Sequence, residues 1–179
     1  MSESTCHRST QWRLDRSGSN QFARVPAFRH VIGLRVTGAF GKGVQMPAYY
    51  LVNTNETHRP KSRSFMLANK CIIAQYEAKM QIDVIERNDL VFIYQNGEGV
   101  IAVGTADGQV LVQDYEQKRG ERHLMKLLRL QELGEPIPPS IITEMVHEET
   151  GKGVYYARTV VPLPPETGKV LYQMATGTG

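Results

Sequence analysis

The sequence predicts a mixed α+β domain: a small, closed or nearly closed β-barrel of mixed and antiparallel strands, with short helices packed outside it. The main evidence is a hairpin, in which apolar runs at residues 90–94 and 100–103 flank an Asn96-Gly97 pair. Asn-Gly readily adopts the positive φ angles of a tight turn, so the two runs are predicted to be antiparallel strands. Both runs are apolar at successive positions rather than alternating, which indicates a sheet covered on both faces.

The chain before the hairpin is expected to supply a strand and a helix. The first strand is predicted at Tyr49–Asn53, and the polar residues 53–63 are predicted to form a loop. Residues 64–70 are rich in helix formers, and either Ser62 or Ser64 is a suitable N-cap for a helix there.

The segments on either side of the hairpin have different expected roles. Residues 71–76 suit either a continuation of the helix or a short strand, and residues 81–88 are expected to pack against the barrel. After the hairpin, a turn at residues 107–108 is predicted to lead into a strand at residues 110–114.

The last third of the chain is expected to add two helices and the closing strand. Residues 123–133 carry leucines at positions that fit either a helix or a strand. Ser140 is expected to cap a short helix. Residues 154–161 are predicted to form the last strand, and residues 166–174 a terminal helix that Gly168 interrupts.

Length and composition indicate one globular domain. The chain has 179 residues, of which 41% are hydrophobic and 22% charged, as in an ordinary single-domain protein. No apolar run approaches the roughly 20 residues of a membrane span, so no membrane partner is expected. Cys6 and Cys71 do not form a disulfide framework and are interpreted as reduced thiols of a cytoplasmic protein.

Charge divides the chain at Met46. Residues 1–45 contain six arginines and one lysine against Glu3 and Asp15, whereas residues 46–179 contain 14 basic and 16 acidic residues. We therefore place a basic, disordered extension before Met46 and the folded domain after it. A domain that bound DNA mainly through phosphates would carry a clear positive excess, and this one does not.

Three interpretations of the extension stay open. It is a disordered basic arm that contacts nucleic acid, an organelle transit peptide, or a segment that is absent from the natural protein. In the third case the codons for residues 42–46 can spell a bacterial ribosome-binding sequence just ahead of Met46, which would then be the natural initiator.

The region around the hairpin resembles a known family. Within residues 82–108 a polar step at residues 86–89 is followed by the pattern VF-x-Y at residues 91–94 and by a return strand bounded by glycines. This arrangement resembles the EVE family of the PUA-like superfamily, which is related to ASCH and YTH domains. Residues 48–53 and 151–158 are similar to the opening and closing strands of that family.

The resemblance implies a PUA-like barrel, a strand rather than a helix at residues 123–133, and a bacterial or phage protein. It also implies that one flipped-out nucleobase is held between aromatic side chains. An apolar wall beside a methyl group would then discriminate a modified base by about 1–3 kcal/mol. The one tryptophan, Trp12, lies outside the domain, so a tryptophan-based pocket is excluded.

Residues with catalytic or ligand chemistry form no constellation in the sequence. His58, His123 and His147 lie in separate segments without metal-ligand spacing, and Cys71 has no histidine near it. Residues 151–153 read Gly-Lys-Gly but lack the rest of a phosphate-binding loop. The sequence therefore predicts no catalytic residue, no metal and no cofactor.

We therefore predict a non-catalytic module that binds one modified nucleobase of DNA or RNA between the end of the first strand and the hairpin. A tyrosine would stack on the base, amides would bond its edge, and loop cations would hold the adjacent backbone. The predicted pocket consists of Asn53, Asn55, Tyr76, Tyr94 and Asn96, and the predicted backbone contacts are Arg59, Lys61 and Arg63.

Other interpretations stay open beside this one. The tyrosines also suit the core, Asn96 suits the turn, and the loop cations suit a solvated surface. The same barrel suits a protein-interaction or phage and defence-related scaffold, with a separately encoded nuclease or other defence protein as partner, or a small-molecule or nucleotide binder. A basic rim around a tyrosine-lined pocket would favour nucleic acid, and an acidic rim a free ligand or a protein.

Overall fold

The computed structural model describes residues 46–56 and 58–178, so the predictions for residues 1–45 lie outside the described residues. Six strands and four helices make up this part of the chain. In chain order they are β1 (Tyr49–Asn53), α1 (Ser62–Asn69), β2 (Cys71–Gln75), a 3₁₀ helix (Tyr76–Val84), β3 (Leu90–Gln95), β4 (Gly99–Tyr115), β5 (Lys118–Ile137), α2 (Pro139–Thr150), β6 (Val160–Leu163) and α3 (Pro165–Thr176).

The strands form one mixed sheet in the order β2-β5-β4-β3-β1-β6. β1 and β3 are parallel, and the other neighbours are antiparallel. Within the described residues no pairing joins the edge strands β2 and β6, so the predicted closed barrel is wrong and the sheet is open. The long strands β4 and β5 shift register several times, which bends the sheet without closing it.

The outer edge of β6 explains why no further strand is added there. The backbone N–H of Val160 donates to the side chain of Gln81 at 3.2 Å. Pro162, two residues on and on the same edge, has no N–H at all. With one donor occupied and the next one missing, this edge is poorly suited to pairing.

Both faces of the sheet are covered, as the apolar runs predict. Val91, Phe92 and Ile93 are all fully buried, although their side chains alternate between faces. Val91 and Ile93 belong to one core, which includes residues of α1, β2 and the 3₁₀ helix. Phe92 belongs to a second core, which includes residues of α2 and α3.

Several predicted elements are confirmed and others are wrong. β1, the hairpin and a strand over residues 123–133 are present. Residues 71–75, whose sequence suits either a helix or a strand, form a strand. Residues 107–108 do not end a strand, because β4 bends there and continues to Tyr115. Only Val160–Leu163 forms the last strand.

Gly168 does not interrupt α3, which runs from Pro165 to Thr176. A Cβ atom at Gly168 would lie 2.1 Å from Cγ of Tyr49. The missing side chain therefore allows α3 to approach the Tyr49 ring closely, and the glycine serves packing rather than helix termination.

The predicted serine caps are also wrong. Neither α1 nor α2 has a side-chain cap at its N-cap residue. At α1 the carboxylate of Glu56 performs this role from the preceding loop: it accepts the backbone N–H of Lys61 at 2.7 Å and that of Arg63 at 2.8 Å. Two donors of the first helical turn are thereby satisfied by an acidic group, as the helix dipole favours.

Replacing Glu56 with glutamine is expected to lower the free energy of unfolding by about 1 kcal/mol at pH 7. The hydrogen bond from the N–H of Arg63 has the largest effect on the pKa of Glu56 and lowers it. Burial acts in the opposite direction, and the N–H of Lys61 lowers the pKa further, so the net result is a lowered pKa. A carboxylate with a lowered pKa stabilises the fold above its unfolded pKa of about 4.3. The difference between wild type and Glu56→Gln should therefore shrink as the pH falls below that value and vanish once the pH has passed the lower folded-state pKa.

Urea denaturation between pH 3 and pH 7 measures this difference. Glu98→Gln is the matched control, because Glu98 contacts the guanidinium of Arg63 in an exposed ion pair at 2.8 Å. Such pairs contribute little. A cost at Glu56 that stayed constant down to pH 3 would contradict the capping role.

Candidate functional site

Asn53, at the end of β1, is buried and hydrogen-bonded on all sides. Its Nδ2 donates to the carbonyl of Tyr156 at 2.9 Å and to Oδ1 of Asn96 at 3.3 Å, while its Oδ1 accepts the N–H of Asn55 at 2.9 Å. Asn55 in turn donates from Nδ2 to Oγ1 of Thr159 at 3.2 Å. This asparagine cluster (Asn53, Asn55 and Asn96) ties β1 to the hairpin tip and to residues 154–159, and both Nδ2 protons of Asn53 are engaged.

Tyr94 lies in the core beside this cluster. Its ring is 3% exposed and stacks on Tyr156, with centroids 4.8 Å apart and planes inclined by 15°. The hydroxyl of Tyr156 donates to the carbonyl of Pro139 at 3.0 Å. Burial, with a smaller contribution from Tyr156, raises the pKa of Tyr94. A protein ring therefore occupies the stacking face of Tyr94 that a base would need.

Tyr76 belongs to a different group of side chains, at the start of the 3₁₀ helix. The guanidinium of Arg59 lies over its ring at 4.6 Å, and the ring of Tyr115 meets it edge-on at 5.9 Å. Its hydroxyl donates to the carboxylate of Glu116, and this bond raises the pKa of Tyr76 to about 12. Arg59 also donates to Oε1 of Gln75 at 2.9 Å. Arg59 thus joins the loop after β1 to the end of β2.

The other two predicted backbone contacts differ in availability. Arg63 is paired with both carboxylate oxygens of Glu98, at 2.8 and 2.9 Å. The side chain of Lys61 is exposed, and its backbone has the left-handed φ of 75° that places it at the start of α1. Lys61 is therefore the more accessible of the two cations.

A cleft of about 130 Å³ opens beside Arg59 and Lys61. Its walls come from the loop after β1, from α1 and β2, and from the distal ends of β4 and β5. The lining residues are Arg59, Pro60, Lys61, Ser62, Phe65, Ile73, Gln75, Tyr115 and Arg122. We refer to it as the aromatic–arginine cleft: two rings and three cations line it, and no carboxylate does.

Arg122 is the distinctive residue of this cleft. Its guanidinium carbon lies 4.1 Å from the ring centroid of Tyr115 and 4.9 Å from that of Phe65. Its Nε is buried and, in the described part of the chain, is the one buried side-chain nitrogen or oxygen without a hydrogen-bond partner. An unsatisfied buried donor costs about 1–3 kcal/mol, more when it is charged, so such a group is rare in a folded protein.

The site residues predicted from the sequence did not include Phe65, Gln75, Tyr115 or Arg122. A usable signal was present at Arg122-His123, where a charged residue directly precedes the apolar part of β5. Such a position brings an arginine to the edge of the core, where its stem and its charge both find partners.

His123 and Cys71 are held inside the fold, whereas His58 and His147 are exposed. Nδ1 of His123 lies 2.7 Å from Oδ1 of Asp83, which fastens the 3₁₀ helix to β5. Cys71 is fully buried, and burial raises the pKa of its thiol to about 11. Over residues 46–56 and 58–178, no three His, Cys, Asp or Glu side chains gather as metal ligands. In the same residues no helix has the length and apolar character needed to cross a membrane.

No protein-family model matches the sequence, and no curated protein sequence matches it significantly. Solved structures do resemble the fold. A hypothetical protein from Leishmania major matches with a TM-score of 0.52 and 12% identity, over 75% of this chain and 98% of that chain. At this identity the likeness shows the fold alone.

Two weaker matches have a TM-score of 0.49. One is a structural genomics protein from Pseudomonas syringae, 13% identical over 72% of this chain and 99% of that chain. The other is the Mmi1 YTH domain in complex with RNA, 9% identical over 73% of this chain and 79% of that chain. The structural neighbours thus include a YTH domain. The open, mixed sheet with four helices in the described residues is compatible with a PUA-like fold.

Proposed function

We propose that the domain is a non-catalytic module that binds single-stranded nucleic acid and accepts one nucleobase, modified or not, in the aromatic–arginine cleft. The observation that carries the proposal is Arg122, held against Phe65 and Tyr115 with a buried Nε that no atom of the described residues satisfies. Aromatic rings beside cations are the features with which proteins hold unpaired bases and their backbone.

The size of the cleft supports a base rather than a larger ligand. Pockets that bury drug-sized molecules have volumes of about 300–1,000 Å³. The aromatic–arginine cleft measures about 130 Å³. It therefore suits one planar ring system, with the remainder of the ligand outside.

The rim of the cleft is basic, because Arg59, Lys61 and Arg122 line it and no Asp or Glu in the described part of the chain does. At the neighbouring Tyr76, the ammonium of Lys118 lies 5.6 Å from the ring and the carboxylate of Glu116 accepts the hydroxyl. A basic rim favours a nucleic-acid strand over a protein or a free ligand, although residues 46–179 as a whole are slightly acidic. A few local cations suit a short single-stranded contact, because each phosphate contact adds only about −0.7 to the salt slope of single-strand binding.

Fluorescence anisotropy of the full chain with short labelled single strands of DNA and RNA tests the proposal, with modified and unmodified bases compared in parallel. Tyr115→Ala is expected to weaken binding by about 1–3 kcal/mol, roughly 5- to 150-fold, because the base loses a ring of the cleft. Lys61→Gln is expected to weaken binding to all strands alike and to reduce its salt dependence.

Arg129→Gln is the control, since Arg129 is an exposed cation of β5 that does not line the cleft. It should bind like wild type. Thermal unfolding shows that each variant is folded before its affinity is compared. The proposal fails if wild type binds none of the strands, or if Tyr115→Ala and Lys61→Gln both bind as tightly as Arg129→Gln.

A further inference from the structure

We infer that the base which enters the cleft presents two adjacent hydrogen-bond acceptors on one edge, and that Arg122 reads this edge. Guanine has such a pair at N7 and O6, and cytosine has one at O2 and N3. This inference rests on the proposed function and deepens it by naming the class of base.

Aromatic rings hold the guanidinium of Arg122. A guanidinium is planar and all its N–H bonds lie in that plane. The guanidinium carbon lies over the rings of Tyr115 at 4.1 Å and of Phe65 at 4.9 Å, so ring faces rather than carboxylates hold the charge. Nε is enclosed and has no partner among the described residues, so the donors that can reach a ligand in the cleft are those of the two terminal Nη atoms, which form a fork of their own.

In the described residues, no carboxylate forms an ion pair with Arg122. No Asp or Glu of the described ranges lines the cleft either. Arg122 thus lines a cavity in which no acidic side chain from this part of the chain pairs with its donors. Two parallel N–H···O or N–H···N bonds to one ligand edge are the arrangement for which arginine is suited.

The charged side chains that line the cleft beside Arg122 are also hydrogen-bond donors. Arg59 and Lys61 add further cationic donors to the lining. The one carboxamide side chain, Gln75, already accepts the NH1 donor of Arg59 with its Oε1 at 2.9 Å. Gln75 is also only 2% exposed, so its oxygen offers little to a donor of the ligand, while a base with acceptors meets several donors.

The chemistry of the bases then separates them. Adenine places its N6 amino donor beside N7 and beside N1, so neither edge has two adjacent acceptors. Uracil and thymine place the N3–H donor between O2 and O4. Guanine and cytosine alone among the ordinary bases offer an adjacent acceptor pair, and a good two-bond contact of this kind discriminates by about 1–3 kcal/mol.

Anisotropy titrations of the full chain against short thymidine strands with one variable central base test the inference. A strand with central guanine or cytosine should bind roughly 5- to 150-fold tighter than one with adenine or thymine. Analogues then identify the edge. Hypoxanthine, which keeps N7 and O6, should bind like guanine, and 7-deazaguanine, which lacks the N7 acceptor, should not. In the cytosine arm 5-methylcytosine should keep the affinity, and 3-methylcytosine should lose it.

Arg122→Lys links the preference to the residue. Lysine keeps the charge but not the planar fork, so the variant should retain salt-dependent binding and lose the preference among bases. Arg129→Lys is the matched control and should keep the preference. The analogue series on wild type tests the same point without any variant.

The outcomes separate the two proposals. Absence of binding to every strand would remove the proposed function itself. Binding with equal affinity for all four bases, or with adenine preferred, would overturn the acceptor-pair inference and leave the proposed function standing. A guanine or cytosine preference that survives in Arg122→Lys would assign the reading to another residue and overturn the role of Arg122.

Discussion

Replacing Gly99 with alanine is expected to lower the free energy of unfolding by about 3–5 kcal/mol. Gly99 begins β4 at a φ of 115°, a conformation that residues with a Cβ atom rarely adopt. A Cβ atom there would lie 1.9 Å from the carbonyl oxygen of Ile137, the last residue of β5. Backbone strain and a clash with main-chain atoms that have no rotamer to change both add to the cost.

Urea denaturation and thermal unfolding measure this loss, and the melting temperature should fall by roughly 10 °C or more. Gly134→Ala is the control, because Gly134 lies in β5 with nothing within 4 Å of a built Cβ and no positive φ. Its stability should change by less than about 0.5 kcal/mol. Equal denaturation midpoints for the two variants would show that the junction of β4 and β5 relaxes freely.

The hairpin could be predicted from the sequence because its signals are local. Asn96-Gly97 sets the turn, and the apolar runs on either side set two strands buried on both faces. Barrel closure could not be predicted in the same way. It depends on pairing between β2 and β6, which are distant in sequence, and on edge features such as the Gln81 side chain at Val160.

The candidate site was predictable only in part for the same reason. Of the three cations that the sequence groups in the loop predicted after β1, Arg59 and Lys61 line the aromatic–arginine cleft and Arg63 does not. Tyr115 and Arg122 come from the far ends of β4 and β5, and no local pattern connects them to that loop. The Glu56 cap, likewise, lies too far from α1 for a search of adjacent capping residues to find it.

Asparagines at the end of a strand illustrate the ambiguity that remains in a sequence. Asn53 was predicted to bond the edge of a base, because an amide that leaves a strand has donors and an acceptor to offer. The structure shows that neighbouring backbone and side-chain groups use both of its Nδ2 protons and its Oδ1. Sequence alone cannot distinguish an amide that binds a ligand from one that binds the protein, because the residue type is the same.

Replacing Asn53 with alanine is expected to cost about 2–3 kcal/mol of unfolding free energy, with no change in the choice of base. The change removes a side chain that is 1% exposed and leaves the N–H of Asn55 and the carbonyl of Tyr156 without their partner. Asn96→Ala is the control: Asn96 is exposed at the hairpin tip and loses only a bond of 3.3 Å, so its cost should stay below about 1 kcal/mol.

Hydrogen exchange and base selectivity together decide between the two roles of Asn53. If it holds the fold, amides in residues 154–159 should exchange faster in Asn53→Ala, because the link from β1 to this segment is lost. The folded variant should still rank the four bases as wild type does, since the aromatic–arginine cleft does not include Asn53. Unchanged stability with weakened discrimination among bases would instead make Asn53 the base-reading residue that the sequence predicts, and would move the binding site from the cleft to the asparagine cluster.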